Sequence, residues 1–120
     1  VDNGAGGTNR KCAMSRLKTY IGGGTLSVSS GSDGGTLAVG MNYFNNHGGA
    51  ISATCPASAG LSAGDQVIIK AGPDCSSTNT LTVSKAGSQT FDGSLTSVVL
   101  ESPNASITLV YVAADDFRIM

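Results

Sequence analysis

Residues 79–120 read NTLTVSKAGSQTFDGSLTSVVLESPNASITLVYVAADDFRIM and carry the clearest pattern in the chain. Apolar residues alternate with polar ones at Leu81 and Val83, and again at Ile107, Leu109 and Tyr111. Residues that favour turns, namely Gly, Pro, Asn and Asp, separate these runs. Alternation with a period of two between such turns is typical of antiparallel strands. The stretch therefore predicts several short strands, and we find no catalytic motif in it.

Four short motifs in this half of the chain resemble a known family. They are TLTV at residues 80–83, FDG at 91–93, ASITLV at 105–110 and FRI at 117–119. They are similar to the small C-terminal β-domain of tailed-bacteriophage virion proteins. That family has a Thr-Ile-Asp-Gly-like corner, a Ser-Val-Thr-Leu-Val strand and a final Trp-Arg-Ile or Trp-Tyr-Val strand. Phe91 and Phe117 stand at its aromatic or apolar positions, and the resemblance covers roughly the second half of the chain.

The resemblance implies a structural part of a virion. The family occurs in tail fibres, spikes, head fibres and capsid decoration proteins, commonly as trimers. It implies a homotrimer that is assembled into the virion in the cytoplasm of a bacterial host. The expected partners are copies of the chain itself and the major capsid protein or another virion protein, and nucleic acid is not expected among them.

Composition predicts a single all-β protein. A chain of 120 residues can enclose one core. Only 12% of its residues are charged, about half the usual fraction, and Gly, Ser and Thr are abundant, which suits short strands joined by many turns. We expect an antiparallel β-sandwich, a jelly-roll-like fold or a small barrel of about 8–9 strands. No run of about 18 apolar residues occurs, so no membrane partner is predicted.

The chain is divided into an extended N-terminal arm, residues 1–22, and a β-domain, residues 23–120. A repeat opens the second part, since GGTLSV at 23–28 returns as GGTLAV at 34–39. GSDG at 31–34 fits the loop of a β-hairpin between the two copies. A solenoid needs about three or more repeats, so we interpret the two copies as equivalent strands of one sheet.

The N-terminal arm is basic. Four of the seven basic residues of the chain lie between positions 10 and 18, and only Asp2 offsets them nearby. Such an arm on a mildly acidic body can bind an acidic protein surface or nucleic acid, or can simply be solvated. With the resemblance in view, the candidate residues for docking on a capsid are Arg10, Lys11, Arg16 and Lys18.

A loop at residues 42–49, reading NYFNNHGG, is a candidate contact loop. Its aromatic residues and the only histidine, set among Asn and Gly, suit a surface loop that binds a partner. Stacking on a sugar and packing on a neighbouring protomer would both use the two rings. In the alternative interpretation, one ring closes the end of the core. The candidate residues are Tyr43, Phe44, Asn45, Asn46 and His47.

The residues that could carry chemistry do not form a recognised constellation. We expect no nucleophile elbow to accompany His47, so the chain is not predicted to be an enzyme. Asp115 and Asp116 lack the acidic ladder of an EF-hand and are expected to be solvated carboxylates of a hairpin. No metal or cofactor is predicted.

Three cysteines, Cys12, Cys55 and Cys75, are widely spaced and form no CxxC motif. Free, buried thiols are expected in a reducing cytoplasm, and a disulfide between Cys55 and Cys75 is the alternative.

Two functions fit these features. The first is a capsid decoration, or cement, protein that binds and stabilises the phage head as a trimer. The second is a head- or tail-fibre module that binds a host surface polysaccharide through the contact loop. Fibres usually carry a shaft or a coiled-coil stalk, and no heptads occur here, which favours the first function.

Overall fold

A computed structural model describes residues 26–120 of the chain, and they form a nearly all-β fold. The ten strands are β1 (Val28–Ser30), β2 (Gly35–Thr36), β3 (Gly40–Tyr43), β4 (Ile51–Thr54), β5 (Gln66–Lys70), β6 (Leu81–Ser84), β7 (Thr90–Phe91), β8 (Ser97–Leu100), β9 (Ser106–Ala113) and β10 (Asp116–Ile119). One 3₁₀ turn, Ser58–Gly60, follows β4. The all-β prediction is confirmed. Within residues 26–120, we find no helix of the length and apolarity that crossing a bilayer requires.

The strands form two mixed sheets. The six-stranded sheet has the order β1-β3-β5-β9-β10-β7, and the four-stranded sheet has the order β2-β4-β6-β8. Their inner faces meet in one apolar core, which is the sandwich-like arrangement that the sequence predicts. The largest fully buried side chains of this core include Phe91, Phe117, Ile69, Leu81 and Leu109.

The first six strands are paired in parallel, which differs from the antiparallel pairing expected from the sequence. β1, β3 and β5 are parallel neighbours in one sheet, and β2, β4 and β6 are parallel neighbours in the other. The chain thus alternates between the sheets and adds one strand with each pass, as in a short solenoid. Alternating side chains suit parallel and antiparallel ladders equally, so the sequence pattern did not distinguish them.

The predicted hairpin at residues 31–34 is therefore wrong. β1 and β2 lie in opposite sheets, and the turn between them carries the chain across the core. The two repeat copies are also not equivalent strands of one sheet, because the second copy contains β2 of the four-stranded sheet, whereas Val28 of the first copy begins β1 of the six-stranded sheet. β1 and β3, which follows the second copy, are parallel neighbours in the six-stranded sheet. Their connection is a crossover through β2 rather than a tight hairpin.

The later strands close the other end of this stack. β8 pairs antiparallel with β6, and β9 pairs antiparallel with β5. β9 and β10 form the antiparallel hairpin predicted at residues 114–116, in which Asp115 takes a positive φ of 57°. β7 pairs in parallel with β10, which brings Phe91 beside Phe117 with ring centroids 6.0 Å apart.

The polar side chain of Asn42 inside the stack has hydrogen-bond partners for its donor and acceptor groups. Asn42 is buried, and its side-chain amide donates to the carbonyl oxygen of Ile68 at 3.1 Å and to that of Ala38 at 2.9 Å. Its Oδ1 accepts the backbone N–H of Ala38 at 2.9 Å. A buried amide that is fully bonded to backbone on two strands holds them in one register.

Candidate interaction surface

The outward side of the six-stranded sheet carries a row of mainly apolar side chains. Val28 lies opposite Met41, and Met41 lies opposite Ile68. The alternation of each strand directs the neighbours of these residues into the core and leaves these three on the outer side. On β9 the outward residue opposite Ile68 is Thr108, and Val110, which lies opposite Gln66, and Val112 follow it on the same side. Tyr43 is the next outward residue of β3 after Met41. We call these six residues the apolar face: Val28, Met41, Tyr43, Ile68, Val110 and Val112.

The apolar face is open to solvent in this structure. Val28 is 59% exposed, Val112 is 39% exposed and Tyr43 is 38% exposed, while Met41, Ile68 and Val110 are half-buried. The solvent side of a sheet is ordinarily polar, and contiguous exposed apolar surface marks sites of interaction. The arrangement can therefore bind a complementary apolar surface.

Two basic residues border the apolar face. Lys70 lies opposite Tyr43 in the strand register, and Arg118 lies opposite Val110. Lys70 Nζ donates to the carbonyl oxygen of Asn104 at 2.5 Å, and Arg118 forms an ion pair of 2.9 Å with Asp116. Residues 26–120 hold seven carboxylates and three basic residues, so two of these three cations lie on this one face.

The sequence did not single out the apolar face, although β9 contains a signal for it. Ile107, Leu109 and Tyr111 point inward, but the alternate positions Val110 and Val112 are apolar as well. A strand with apolar residues on both sides is covered on both sides or exposes an apolar surface. In β5, Val67 and Ile69 are buried, while Ile68 and Lys70 on the other side are only half-buried.

The predicted contact loop is divided between core and surface. Tyr43, Asn45 and Asn46 are exposed, whereas Phe44 is only 5% exposed and belongs to the core. The alternative interpretation, in which one ring closes the end of the core, describes Phe44. Its ring lies directly against Gly31, where a Cβ atom would overlap it.

His47 holds the loop in place. Its Nε2 accepts the backbone N–H of Gly72 at 3.1 Å, and its Nδ1 lies 3.2 Å from the carbonyl oxygen of Asn79. These partners fit the neutral tautomer with the proton on Nδ1. Because both ring nitrogens are engaged with backbone groups, the imidazole acts here as a link between two loops.

Asp74 completes this link. Its carboxylate accepts the backbone N–H of His47 at 2.6 Å and that of Gly48 at 2.9 Å. The hydrogen bonds from Gly48 and then His47 hold the pKa of Asp74 below its ordinary value. The link fixes the backbone on which exposed Asn45 and Asn46 are carried.

A motif that the sequence prediction overlooked lies at residues 60–64. They read GLSAG and match the G-x-S-x-G pattern, so the sequence motif of a nucleophile elbow does occur in the chain. A nucleophile elbow connects a strand to a helix. Here Ser62 lies in a turn before β5, its backbone N–H donates to Asp65 Oδ2 at 2.8 Å, and the motif does not have the elbow geometry.

The remaining candidate groups are structural. Asp115 accepts the hydroxyl of Ser58 at 2.6 Å and Asp116 pairs with Arg118, so both are half-buried and bonded rather than solvated as expected. Cys55 and Cys75 are free and buried, which confirms the expectation of free thiols for these two. Across residues 26–120, no three His, Cys, Asp or Glu side chains are grouped closely enough to hold a metal ion.

The predicted docking residues Arg10, Lys11, Arg16 and Lys18 lie outside the described residues, as does Cys12. A scan against known protein families and a search of curated proteins each found no match to this chain.

Proposed function

We propose that this chain is a virion structural protein of a tailed bacteriophage, and that it is a capsid decoration protein which binds the head as a trimer. The observation that carries the proposal is the apolar face on the outer side of the six-stranded sheet. An exposed apolar surface of this kind serves association between proteins. The motifs similar to phage virion domains support the same class.

The proposal assigns the two kinds of contact to different parts of the chain. The apolar face supplies the contacts between the three copies, because subunit contacts that are buried permanently are apolar. Arg10, Lys11, Arg16 and Lys18 dock on acidic groups of the shell. A protein that binds only the assembled shell stabilises it by mass action, without any chemistry.

Phage particles that lack this protein provide the direct test of the function. Heads without it should lose their DNA or rupture at lower temperature or lower salt than complete heads, and adding the purified protein should restore them. Negative-stain imaging would score intact and broken heads. Particles that are equally stable with and without the protein would overturn the decoration proposal.

The trimer contact can be tested on the purified chain. We expect the double variant Val28→Asp/Val112→Asp to sediment as a monomer, because two buried charges without partners would oppose association. Val99→Asp is the matched control, since Val99 is 44% exposed and lies on the outward side of the four-stranded sheet. Equal sedimentation of the double variant and the wild type would place the trimer contact elsewhere.

The docking residues are tested separately. Replacing Arg10, Lys11, Arg16 and Lys18 with Ala should leave the trimer intact and abolish binding to empty capsids in a co-sedimentation assay. Wild-type binding should weaken as salt is raised, because exposed charges are screened. Binding of the quadruple variant at wild-type level would remove these residues from the docking site.

A receptor-binding module remains the second candidate, and one observation favours it. Exposed Tyr43 lies close in the chain to exposed Asn45 and Asn46, and the link through His47 and Asp74 holds their loop. An aromatic ring beside amide groups can stack on a sugar and bond to its hydroxyls. Intact heads that fail to adsorb to cells when this protein is absent would favour this candidate over decoration.

A further inference from the structure

A row of polar side chains crosses the outward side of the six-stranded sheet at one end of the apolar face. Ser30 lies opposite Tyr43, Tyr43 lies opposite Lys70, and Lys70 lies opposite Ser106. These residues belong to the neighbouring strands β1, β3, β5 and β9, which are spaced about 4.8 Å apart. Ser30, Tyr43 and Ser106 are exposed, and Lys70 is half-buried. We call these four residues the polar row.

Lys70 gives the polar row a positive charge. Its Nζ donates to the backbone carbonyl oxygen of Asn104 at 2.5 Å, which positions the ammonium group without neutralising it. Within residues 26–120, Lys70 forms no ion pair with a carboxylate, whereas Arg118 on the same face is paired with Asp116. An ammonium group has three donors, so Lys70 can donate further hydrogen bonds to an anion that lies over the row.

Asn45 extends the polar row beyond the end of β3. The N–H of Phe44 donates to the carbonyl oxygen of Lys70 at 2.9 Å, so the two chain segments stay side by side past Tyr43. Phe44 is buried, while Tyr43 before it and Asn45 after it are exposed. This alternation places the amide of Asn45 on the same outward side as the ring of Tyr43.

We propose that the polar row binds an acidic polysaccharide, a sugar chain that carries carboxylates on its rings. The ring of Tyr43 stacks on a sugar face, and Lys70 Nζ donates to the carboxylate of a neighbouring sugar. The hydroxyls of Ser30 and Ser106 and the amide of Asn45 bond to sugar hydroxyls.

The charge of Lys70 determines the class of sugar. A neutral sugar over the polar row would cover the ammonium group without supplying an anion, which costs free energy. A carboxylate at that position removes the cost and adds a charge-assisted hydrogen bond. This inference rests on the second candidate function, the receptor-binding module, and it specifies the class of polysaccharide for that module.

Titration of the full chain with short galacturonate oligomers tests the class of sugar. The matched probe is the same oligomer after its carboxylates have been reduced to primary alcohols. Every chain in the test carries Ala at the four basic positions of the N-terminal arm, Arg10, Lys11, Arg16 and Lys18, so that the arm cannot attract the polyanion. Amide chemical shifts in NMR spectra would measure the affinity and locate the site.

We expect the acidic oligomer to bind about fivefold or more tightly than the reduced one. The largest shifts should lie at the polar row and Asn45. Raising the salt concentration should weaken binding of the acidic oligomer alone, because salt screens the charge of Lys70.

Lys70→Met and Lys85→Met separate the site from the overall charge. Lys85 is the matched control, because it is also half-buried and its Nζ also donates to a backbone carbonyl, that of Gly87 at 2.5 Å. It follows β6 of the four-stranded sheet and so lies away from the polar row. Lys70→Met should weaken binding of the acidic oligomer about fivefold or more and leave binding of the reduced oligomer unchanged. Lys85→Met should change neither.

Three results would overturn the inference. They are equal affinity for the two oligomers, equal losses in the two lysine variants, and binding of neither oligomer. If Lys70→Met does not fold, as judged by circular dichroism, the comparison of the two oligomers and the salt dependence still decide the outcome. The receptor-binding module itself is decided by adsorption to cells, and the decoration function by the stability of heads, so each fails separately from this inference.

Discussion

Gly72 shows how little space separates the two loops that His47 links. A Cβ atom at this position would overlap the backbone carbonyl of Asn45, which has no flexible end that could move aside. We expect Gly72→Ala to destabilise the protein by about 1–3 kcal/mol or more, through forced displacement of the loop. Thermal unfolding would measure the change.

Gly60→Ala is the matched control for this variant. A Cβ atom at Gly60 meets nothing within 4 Å, and its φ is not in the left-handed region. Its unfolding free energy should stay within about 0.5 kcal/mol of the wild type. Similar losses of stability at both positions would mean that the close approach of Asn45 to Gly72 is not the cause of the loss in Gly72→Ala.

Asp74 makes stability depend on pH at the acid end. Its pKa is lower in the folded chain than the ordinary value of 3.8, because the Gly48 and His47 N–H groups favour the carboxylate. A group with a depressed folded pKa contributes stability that is present above the unfolded pKa. That contribution is lost as pH falls from about the unfolded pKa through the folded one.

Asp74→Asn should therefore be less stable than the wild type at neutral pH, and the difference should shrink as pH falls below 3.8. Urea unfolding at a series of pH values would measure it. Glu101→Gln, at an exposed carboxylate, should show no comparable change. A difference between Asp74→Asn and the wild type that is constant at every pH would contradict the assignment.

At the scale of the strands, Asp92 holds the end of β10. Asp92 has a φ of 51°, its N–H donates to the carbonyl of Phe117 at 2.8 Å, and its Oδ1 accepts the N–H of Ile119 at 2.9 Å. The Asp-Gly corner at residues 92–93 thus has a local structural role: its hydrogen bonds connect the last strand to the turn after β7.

We expect Asp92→Ala to lower the free energy of unfolding by about 1–2 kcal/mol. Alanine has no side-chain acceptor for the N–H of Ile119, and it has no polar side chain to stabilise a left-handed backbone. The unfolding free energy of Asp92→Asn should stay within about 0.5 kcal/mol of the wild type, because asparagine tolerates this φ and keeps an acceptor. Chemical denaturation of the two variants would compare them. Equal losses would show that the side-chain acceptor is not what holds β10.

The strands could be predicted from the sequence, but their pairing could not. Leu81, Val83 and Leu109 alternate with polar or outward residues, and the period of two located β6 and β9 correctly. The same period is compatible with parallel and antiparallel neighbours, so the crossovers among β1 to β6 could not be predicted from it. Ser32 and Asp33 favour a turn, but they do not specify whether it returns to the same sheet or crosses to the other.

The candidate site was predictable only in part for a related reason. Tyr43 and Phe44 are adjacent aromatic residues, and in a strand adjacent residues point to opposite sides. One of them had to be buried once this segment proved to continue β3, and the structure identifies it as Phe44. Val28, Met41 and Ile68 are far apart in the chain, and only the parallel register brings them into one row.

At the scale of the whole molecule, the two sheets enclose Cys55 so fully that its reactivity reports on their separation. Burial raises the pKa of the Cys55 thiol to about 12, so almost no thiolate is present at pH 8. Cys75 Sγ is also buried and donates to the carbonyl of Leu100 at 3.2 Å. Opening of the core is needed before a reagent can reach either sulfur.

In a Cys12→Ser background, we expect a disulfide reagent at pH 8 to label Cys55 and Cys75 only at the rate of global unfolding. Added Ser97→Cys, at an exposed position, should react at once and serves as the control. Urea should raise the labelling rate of the two native thiols in parallel with loss of β-structure by circular dichroism. Rapid labelling of Cys55 in the native protein would contradict the tight packing of the sheets.

The antiparallel strands β8 and β9 make the two ends of the stack different. Each parallel pass of the chain lengthens both sheets by one strand, whereas β8 and β9 run the other way and end that progression behind β5 and β6. Extra parallel passes can therefore be added ahead of β1 without altering β8 or β9, and each would add one strand spacing of about 4.8 Å. The length of the two sheets, measured from β8 and β9, is thus set by the number of parallel passes. It could be changed in whole strand spacings without redesigning the C-terminal half.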